Sequence, residues 1–230
     1  MAQPITRGLV EDLLARLDLP DPVVEFGALQ VEPGQRADLR DLFAGRSYVG
    51  TDYRDGPGVD RVEDLRALSF ADASVGTAIC LDTLEHCEDP PQACRELGRV
   101  VAPGGVCVIA SVMLFGIHAY PGDFFRFTPE GFRSMLAGGG FDDVRVVGVG
   151  DPAIPREVFA IGAKGRSLGA LDLAALPTVA RAQAGHDDPG RGVPVGPLKV
   201  PPRELGRLLA RELPRTLRAR ARAKRRRRGG

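Results

Sequence analysis

Apolar residues near the start of the chain, Leu9, Val10, Leu13, Leu14 and Leu17, fall at helical spacing, and Pro20 and Pro22 close the pattern. A short lead-in helix is predicted. The period then changes to brief β-branched or apolar runs at 23–26, 47–51, 77–81, 106–112, 144–149 and 158–163, separated by helical stretches. Between the first two runs, 37–43 (ADLRDLF) is short and helical in composition. The clearest helix is 87–101: Pro90 and Pro91 stand near its start, Ala93, Leu97, Val100 and Val101 share a face, and Pro103-Gly104-Gly105 turns the chain onward. Thr128-Pro129-Glu130 opens another, with Thr as cap and Pro at the first position; Phe132, Met135 and Leu136 line one side before Gly138-Gly139-Gly140 ends it. Only a loop, 150–157, separates the last two runs, so they are predicted to pair antiparallel. The pattern predicts an α/β fold, a Rossmann-like, mainly parallel sheet with an antiparallel C-terminal hairpin and helices on both faces.

After Lys164 the periodicity fades. Residues 1–164 are read as one domain, 165–202 as a Gly/Pro-rich linker with one short helix around 171–182, and 203–230 as a basic, partly disordered tail. The net charge of +1 hides a split, because 12 of the 31 basic residues and only two acids lie in 203–230. An acidic body therefore carries a basic tail. In that tail Leu205, Leu208, Leu209, Leu213 and Leu217 recur at spacings of three and four among Arg203, Arg207, Arg211, Arg215 and Arg218, with Pro214 interrupting any continuous helix. The expected partner is an anionic membrane surface, with nucleic acid second because a phosphate-binding arm has little use for leucines. Folding back onto the acidic body is the remaining reading.

Hydrophobic residues at 43% with charged residues at 27% indicate a globular protein and exclude a wholly disordered chain. The first twenty residues mix acids with apolar positions and lack the basic-then-apolar order of a signal peptide. The longest uncharged stretch, 100–122, is broken by Pro103-Gly104-Gly105 and Tyr120-Pro121, so no membrane span is predicted. Cys80, Cys87, Cys94 and Cys107 form no CxxC pair and read as reduced cysteines of a cytoplasmic protein. Cys87, Cys94 and His86 match no familiar zinc spacing, and no metal is predicted.

Ligands of open α/β sheets bind beyond the carboxyl ends of the strands. The residues there are Glu25-Phe26-Gly27-Ala28, Asp52-Tyr53, Val62-Glu63-Asp64-Leu65, Asp82-Thr83-Leu84-Glu85-His86 and the segment reaching His118. A dinucleotide wants GxGxxG at the first of these loops, whereas the loop reads GALQVEPG with Glu25 and Glu32 close by, a poor setting for a pyrophosphate. S-adenosylmethionine, with a sulfonium, an ammonium and one carboxylate, suits an acidic rim. Asp52 can accept both ribose hydroxyls, and Asp64 the adenine amine, with Leu65 and Tyr53 as apolar surface for the ring. Gly27 gives backbone access, Glu25 either contacts ligand or caps the following segment, and Asp82 faces donor or acceptor. His118, Asp123 and Arg126 form a polar cluster in an irregular stretch, with His118 as acceptor-side base, Asp123 or Arg126 positioning it and Tyr120 in reserve. His86 either satisfies a backbone group or joins the chemistry; Phe124, Phe125 and Phe127 are read as lid core.

The run YVGTDYRDGPGVDRVEDLRALSFADASVGTAICLDTLEHCEDP, followed by ELGRVVAPGGVCVIAS, resembles class I SAM-dependent methyltransferases of the methyltransferase-11 type. The resemblance spans roughly 23–164. It implies that Asp52 holds the ribose, that Asp64 lies at the adenine and that Leu84-Glu85-His86 follows a central strand, while HAYPGDFFRFTPEGF resembles a subgroup's substrate-side lid. The implied activity is methyl transfer from S-adenosylmethionine to a small-molecule or glycan acceptor, expected at oxygen. The sequence departs from the pattern in the first loop, where Leu29 and Val31 replace later glycines, and at Gly76. The alternative is a methyltransferase-fold protein without catalysis, serving as a binding or scaffold protein through its tail.

Overall fold

The computed structural model describes residues 4–31, 38–118, 121–187, 193–195 and 198–200. Two compact units divide the chain, Met1–Gln183 and Ala184–Gly230. The first holds a seven-stranded sheet made of β1 (Val23–Phe26), β2 (Tyr48–Asp52), β3 (Arg61–Val62), β4 (Val75–Leu81), β5 (Val101–Val112), β6 (Asp143–Gly150) and β7 (Pro155–Ala163), in the order β3-β2-β1-β4-β5-β7-β6. The first five strands pair in parallel, and β7 pairs antiparallel with both β5 and β6. The predicted mixed α/β sheet with its antiparallel hairpin is what forms. The strand order reverses between β1 and β4, and the carboxyl ends on either side of that point are where a ligand crevice opens.

Strand ends and helix starts follow local chemistry. α1 (Pro4–Leu14) turns Leu9, Val10 and Leu13 into one sheet face. At α2 (Pro90–Val100) the Asp89 carboxylate accepts from the Gln92 amide at 3.0 Å, and the two prolines occupy positions whose N–H groups need no helical partner. At α3 (Pro129–Gly138) Thr128 does the same for the Gly131 amide at 3.1 Å. α2 and α3 bury Ala93, Leu97, Phe132 and Leu136 on the opposite sheet face. Between β1 and β2 the predicted helix is reduced to a single 3-10 turn, Arg40–Phe43.

Two readings are revised, and one short strand lies outside the predicted runs. Pro103-Gly104-Gly105 does not end before the strand: β5 begins at Val101 and runs through it across a register shift opposite Val75 and Thr77, with Gly104 at φ +83° absorbing the kink. β3 has only two residues, both exposed, and carries no pattern to read. The segment after Lys164 is not all linker, since Leu168, Leu173, Leu176 and Val179 are buried against Leu9, Val10 and Leu13. α4 (Pro177–Asp187) starts there, and the Asp12 carboxylate accepts from its Thr178 amide at 2.7 Å. The first compact unit therefore runs past Lys164 to Gln183. In the second unit β8 (Val193–Val195) and β9 (Leu198–Val200) pair antiparallel. The tail, 203–230, lies outside the described residues. Among the described residues no helix is long and apolar enough to cross a membrane.

Candidate functional site

A cleft of about 250 Å³ opens at the carboxyl ends of β1, β2 and β4. Gly27, Asp52, Tyr53, Asp64, Leu65, Asp82 and His118 all line it, so seven of the sequence-predicted positions converge on one space. The sheet register sets this convergence: Phe26 stands beside Thr51 and Cys80, and Asp52 beside Val62. Gly27 has φ +93°, and a Cβ there would sit 1.9 Å from the Thr83 hydroxyl. Only glycine lets the chain leave β1 so close to the end of β4.

The wall beside β2 and β3 is acidic and apolar together. Asp52 is largely shielded, and its Oδ1 accepts from the Arg54 amide at 2.9 Å and lies 3.8 Å from Arg54 Nε. Tyr53 is 58% exposed, a ring available to cover something flat. Asp64 is on the wall as expected, but its carboxylate is gripped by Arg66, with Nη2 to Oδ2 at 2.8 Å and Nε to Oδ1 at 3.0 Å. Arg66 holds that carboxyl below its ordinary range and also pairs with Glu88. Asp64 thus has fewer free lone pairs for an adenine amine than the sequence reading assigned it.

The floor is built by β4 and the turn after it. Asp82 is buried with φ +48°, and its Oδ2 accepts from the Thr6 hydroxyl at 3.3 Å. In the adjoining 3-10 turn Leu84–His86, Glu85 is buried and accepts from the Ser111 hydroxyl at 2.6 Å. His86 contributes Nδ1 to the Gly122 carbonyl, the backbone role foreseen for it, yet its ring also lines the cleft. Burial lowers its pKa.

Opposite, the loop after β5 supplies His118. Asp123 and Arg126 do not line the cleft but stand behind it: the Asp123 side chain is 4% exposed, accepts from the His118 amide at 2.9 Å and pairs with Arg126 at 2.7 Å. The guanidinium holds the Asp123 carboxyl far below the usual carboxylate range. His118 Nδ1 meets the Gly116 carbonyl at 3.1 Å. The loop is tied to the floor by the Phe124 amide donating to the Glu85 carbonyl at 2.8 Å. Of the three predicted residues only His118 lines the cleft, and Asp123 with Arg126 braces the loop behind it. Tyr120 lies outside the described residues.

Glu25 is the clear displacement. It is on the other face of β1, 2% exposed, with the Tyr48 hydroxyl donating to it, and it does not line the cleft. The period-two alternation of a strand explains this, since Glu25 shares a face with Val23 and not with Val24 and Phe26. Burial pushes its pKa up to about 7. Thr83, on the predicted rim but given no role there, lines the cleft, and sequence reasoning missed Arg66, Leu29 and Val31 as cleft residues, although the last two depart from the family loop. The four cysteines are free and buried.

The fold is shared with solved SAM-dependent methyltransferases. The family model of a methyltransferase domain matches residues 31–109, which include Asp52, Asp64 and Asp82. Among solved structures, a putative methyltransferase from Haloferax volcanii, in complex with the Trm112 methyltransferase activator, superposes with TM-score 0.52 at 18% identity, over 70% of this chain and 90% of its own. A Thermotoga maritima SAM-dependent methyltransferase, described as a possible histamine N-methyltransferase, gives 0.54 at 16% identity, over 70% and 89%. A Haemonchus contortus phosphoethanolamine N-methyltransferase in complex with S-adenosyl-L-methionine gives 0.52 at 10% identity, over 69% and 52%. No curated protein sequence matches significantly.

Proposed function

We propose that this chain binds S-adenosylmethionine in the cleft and methylates a hydroxyl of a small-molecule or glycan acceptor. The observation that carries the reading is the convergence of Gly27, Asp52, Leu65 and Asp82 on one cleft at the strand-order reversal. The residues fit the donor's chemistry. Asp52 offers a carboxylate to a vicinal diol, Tyr53 and Leu65 offer apolar surface to a flat ring, Gly27 leaves a gap that any Cβ would fill, and Asp82 places negative charge near a cationic centre.

When bound, S-adenosylmethionine supplies an electrophilic methyl group on a sulfonium. The work left to the protein is alignment and exclusion of water. Pro121 and Phe124 border the cleft on the side where an acceptor enters, and Phe115 and Ile117 beside them are exposed, which favours an acceptor with an apolar part. His118, with Nδ1 engaged by the Gly116 carbonyl, keeps its Nε2 lone pair for the acceptor proton, and Asp123 and Arg126 hold the loop that carries it. The tail, 203–230, is proposed to attach the protein to an anionic surface, a role supported by its leucine and arginine spacing.

A second reading, a methyltransferase fold that binds without transferring, is favoured by Leu29 and Val31 lining the cleft where glycines would open it. The test incubates the full chain with S-adenosylmethionine and a panel of hydroxylated small molecules and oligosaccharides and follows S-adenosylhomocysteine. Acceptor-dependent product, lowered about a hundredfold in His118→Ala with donor affinity retained, is expected. Donor binding without product across the panel favours the second reading, and absence of donor binding removes the first.

A further inference from the structure

We propose that Glu85, His86 and His118 form a mononuclear site for a divalent transition-metal ion of the zinc or iron(II) class at the acceptor end of the cleft. One ligand atom from each residue lies within 4.8 Å of the others, and Glu85 Oε1 is 3.9 Å from His86 Nε2. Ligands about 2.0 to 2.2 Å from one ion are some 3 to 3.5 Å apart, so the widest pair stands at most about 1.3 Å beyond coordinating spacing.

The orientation of the three groups is the stronger argument. Each has its other polar atom already committed to the protein. Glu85 Oε2 accepts from the Ser111 hydroxyl at 2.6 Å. His86 Nδ1 meets the Gly122 carbonyl, and His118 Nδ1 meets the Gly116 carbonyl at 3.1 Å with Asp123 Oδ2 at 3.4 Å. Such contacts fix the tautomer and leave Oε1 and the two Nε2 atoms as ligands, as outer partners do around metal-binding histidines and carboxylates. Edge-to-face packing of the two imidazoles, 4.8 Å between centroids, explains why the rings touch. It does not explain why a buried carboxylate, held by Ser111, stands 3.9 Å from His86 Nε2.

Two imidazoles and one carboxylate, with no thiolate, select borderline ions over soft ones and leave open positions for a substrate oxygen. His86 and His118 both line the cleft, so those positions face it. The consequence for catalysis rests on the methyl-transfer reading above, whereas ion binding itself does not. A coordinated acceptor hydroxyl is acidified and releases its proton to water, and His118 then acts as ligand in place of base.

The experiment uses the full chain, stripped with a chelator and titrated with Co²⁺ as a spectroscopic probe and with Zn²⁺ by calorimetry. One equivalent of Co²⁺ with visible d–d bands and no thiolate charge-transfer band is expected. His118→Ala, on a half-buried loop residue, and the isosteric Glu85→Gln should each weaken binding at least about a hundredfold. Zn²⁺ should raise the Tm of the wild type and not that of His118→Ala, which keeps the test valid if Glu85→Gln folds poorly. Failure of the wild type to bind, equal binding by His118→Ala, or a thiolate band placing the ion at a cysteine would overturn the site. Parallel calorimetry with S-adenosylmethionine separates the two ideas: ion binding without donor binding supports the site and removes methyl transfer, and donor binding without ion binding does the reverse.

Discussion

At one end of the cleft, Asp52, Tyr53, Asp64 and Leu65 stand at or just past the ends of β2 and β3, where the register of β2 with β1 and of β3 with β2 fixes them. At the other end, His118 sits on a stretch without regular structure, held by Asp123, Arg126 and the backbone of Glu85. The first wall is a by-product of the sheet, and its geometry survives any change that leaves the sheet folded. The second depends on a few side-chain contacts, so one substitution can loosen it while the sheet and the first wall stay in place. Donor-side and acceptor-side functions should therefore fail separately.

The largest effect is expected at the acceptor end. Asp123→Ala removes a buried carboxylate that pairs with Arg126 and accepts from the His118 amide. Hydrogen bonds to charged groups contribute about 1.5 to 3 kcal/mol each, so turnover with an identified acceptor should fall up to about a hundredfold, as far as in His118→Ala and no further. Donor affinity should stay within about twofold, and a parallel loss of donor affinity would show that the two ends are coupled.

Glu25 belongs to neither end, and its replacement marks the sheet face that the cleft does not use. Its folded pKa of about 7 lies above the ordinary 4.5 because burial disfavours the charged form. Folding stability from the neutral carboxyl is fully present below about pH 4.5 and is lost as pH rises toward about 7. Glu25→Gln keeps an acceptor for the Tyr48 hydroxyl and removes the titration. Chemical denaturation should show the variant up to about 3 kcal/mol more stable relative to wild type at pH 8 than at pH 4, with donor affinity unchanged.

Gly27→Ala forces a Cβ into a φ of +93° and against the Thr83 hydroxyl. Strain of about 1 to 3 kcal/mol is expected, read as a lower denaturation midpoint together with weaker donor binding. An unstrained, fully binding variant would mean that the chain leaves β1 by another path.

The same contrast explains what the sequence made legible. β1, β2, β4 and the β6–β7 pair announce themselves through apolar runs, and Asp52 and Asp82 follow because residues at strand ends have little freedom of placement. Glu25 was read as a strand-end residue too, but one position of alternation puts it on the far face. The grip of Arg66 on Asp64, two residues apart, and the assembly of Glu85 and His86 with His118 depend on how loops fold back, which no period encodes. The segment around Leu168, Leu173, Leu176 and Val179 hid its core-facing residues among glycines and prolines, and only the packing against α1 reveals them.

The smallest predicted change gives the most direct test of two separable ends in one cleft. Calorimetric titration of S-adenosylmethionine into the full-length wild type, Asp52→Ala and Asp123→Ala should show one site in the wild type. Affinity should be at least about tenfold weaker in Asp52→Ala, which loses hydrogen bonds of about 0.5 to 1.5 kcal/mol each, and nearly unchanged in Asp123→Ala. No binding by the wild type, or equal affinities for wild type and Asp52→Ala, would contradict the account.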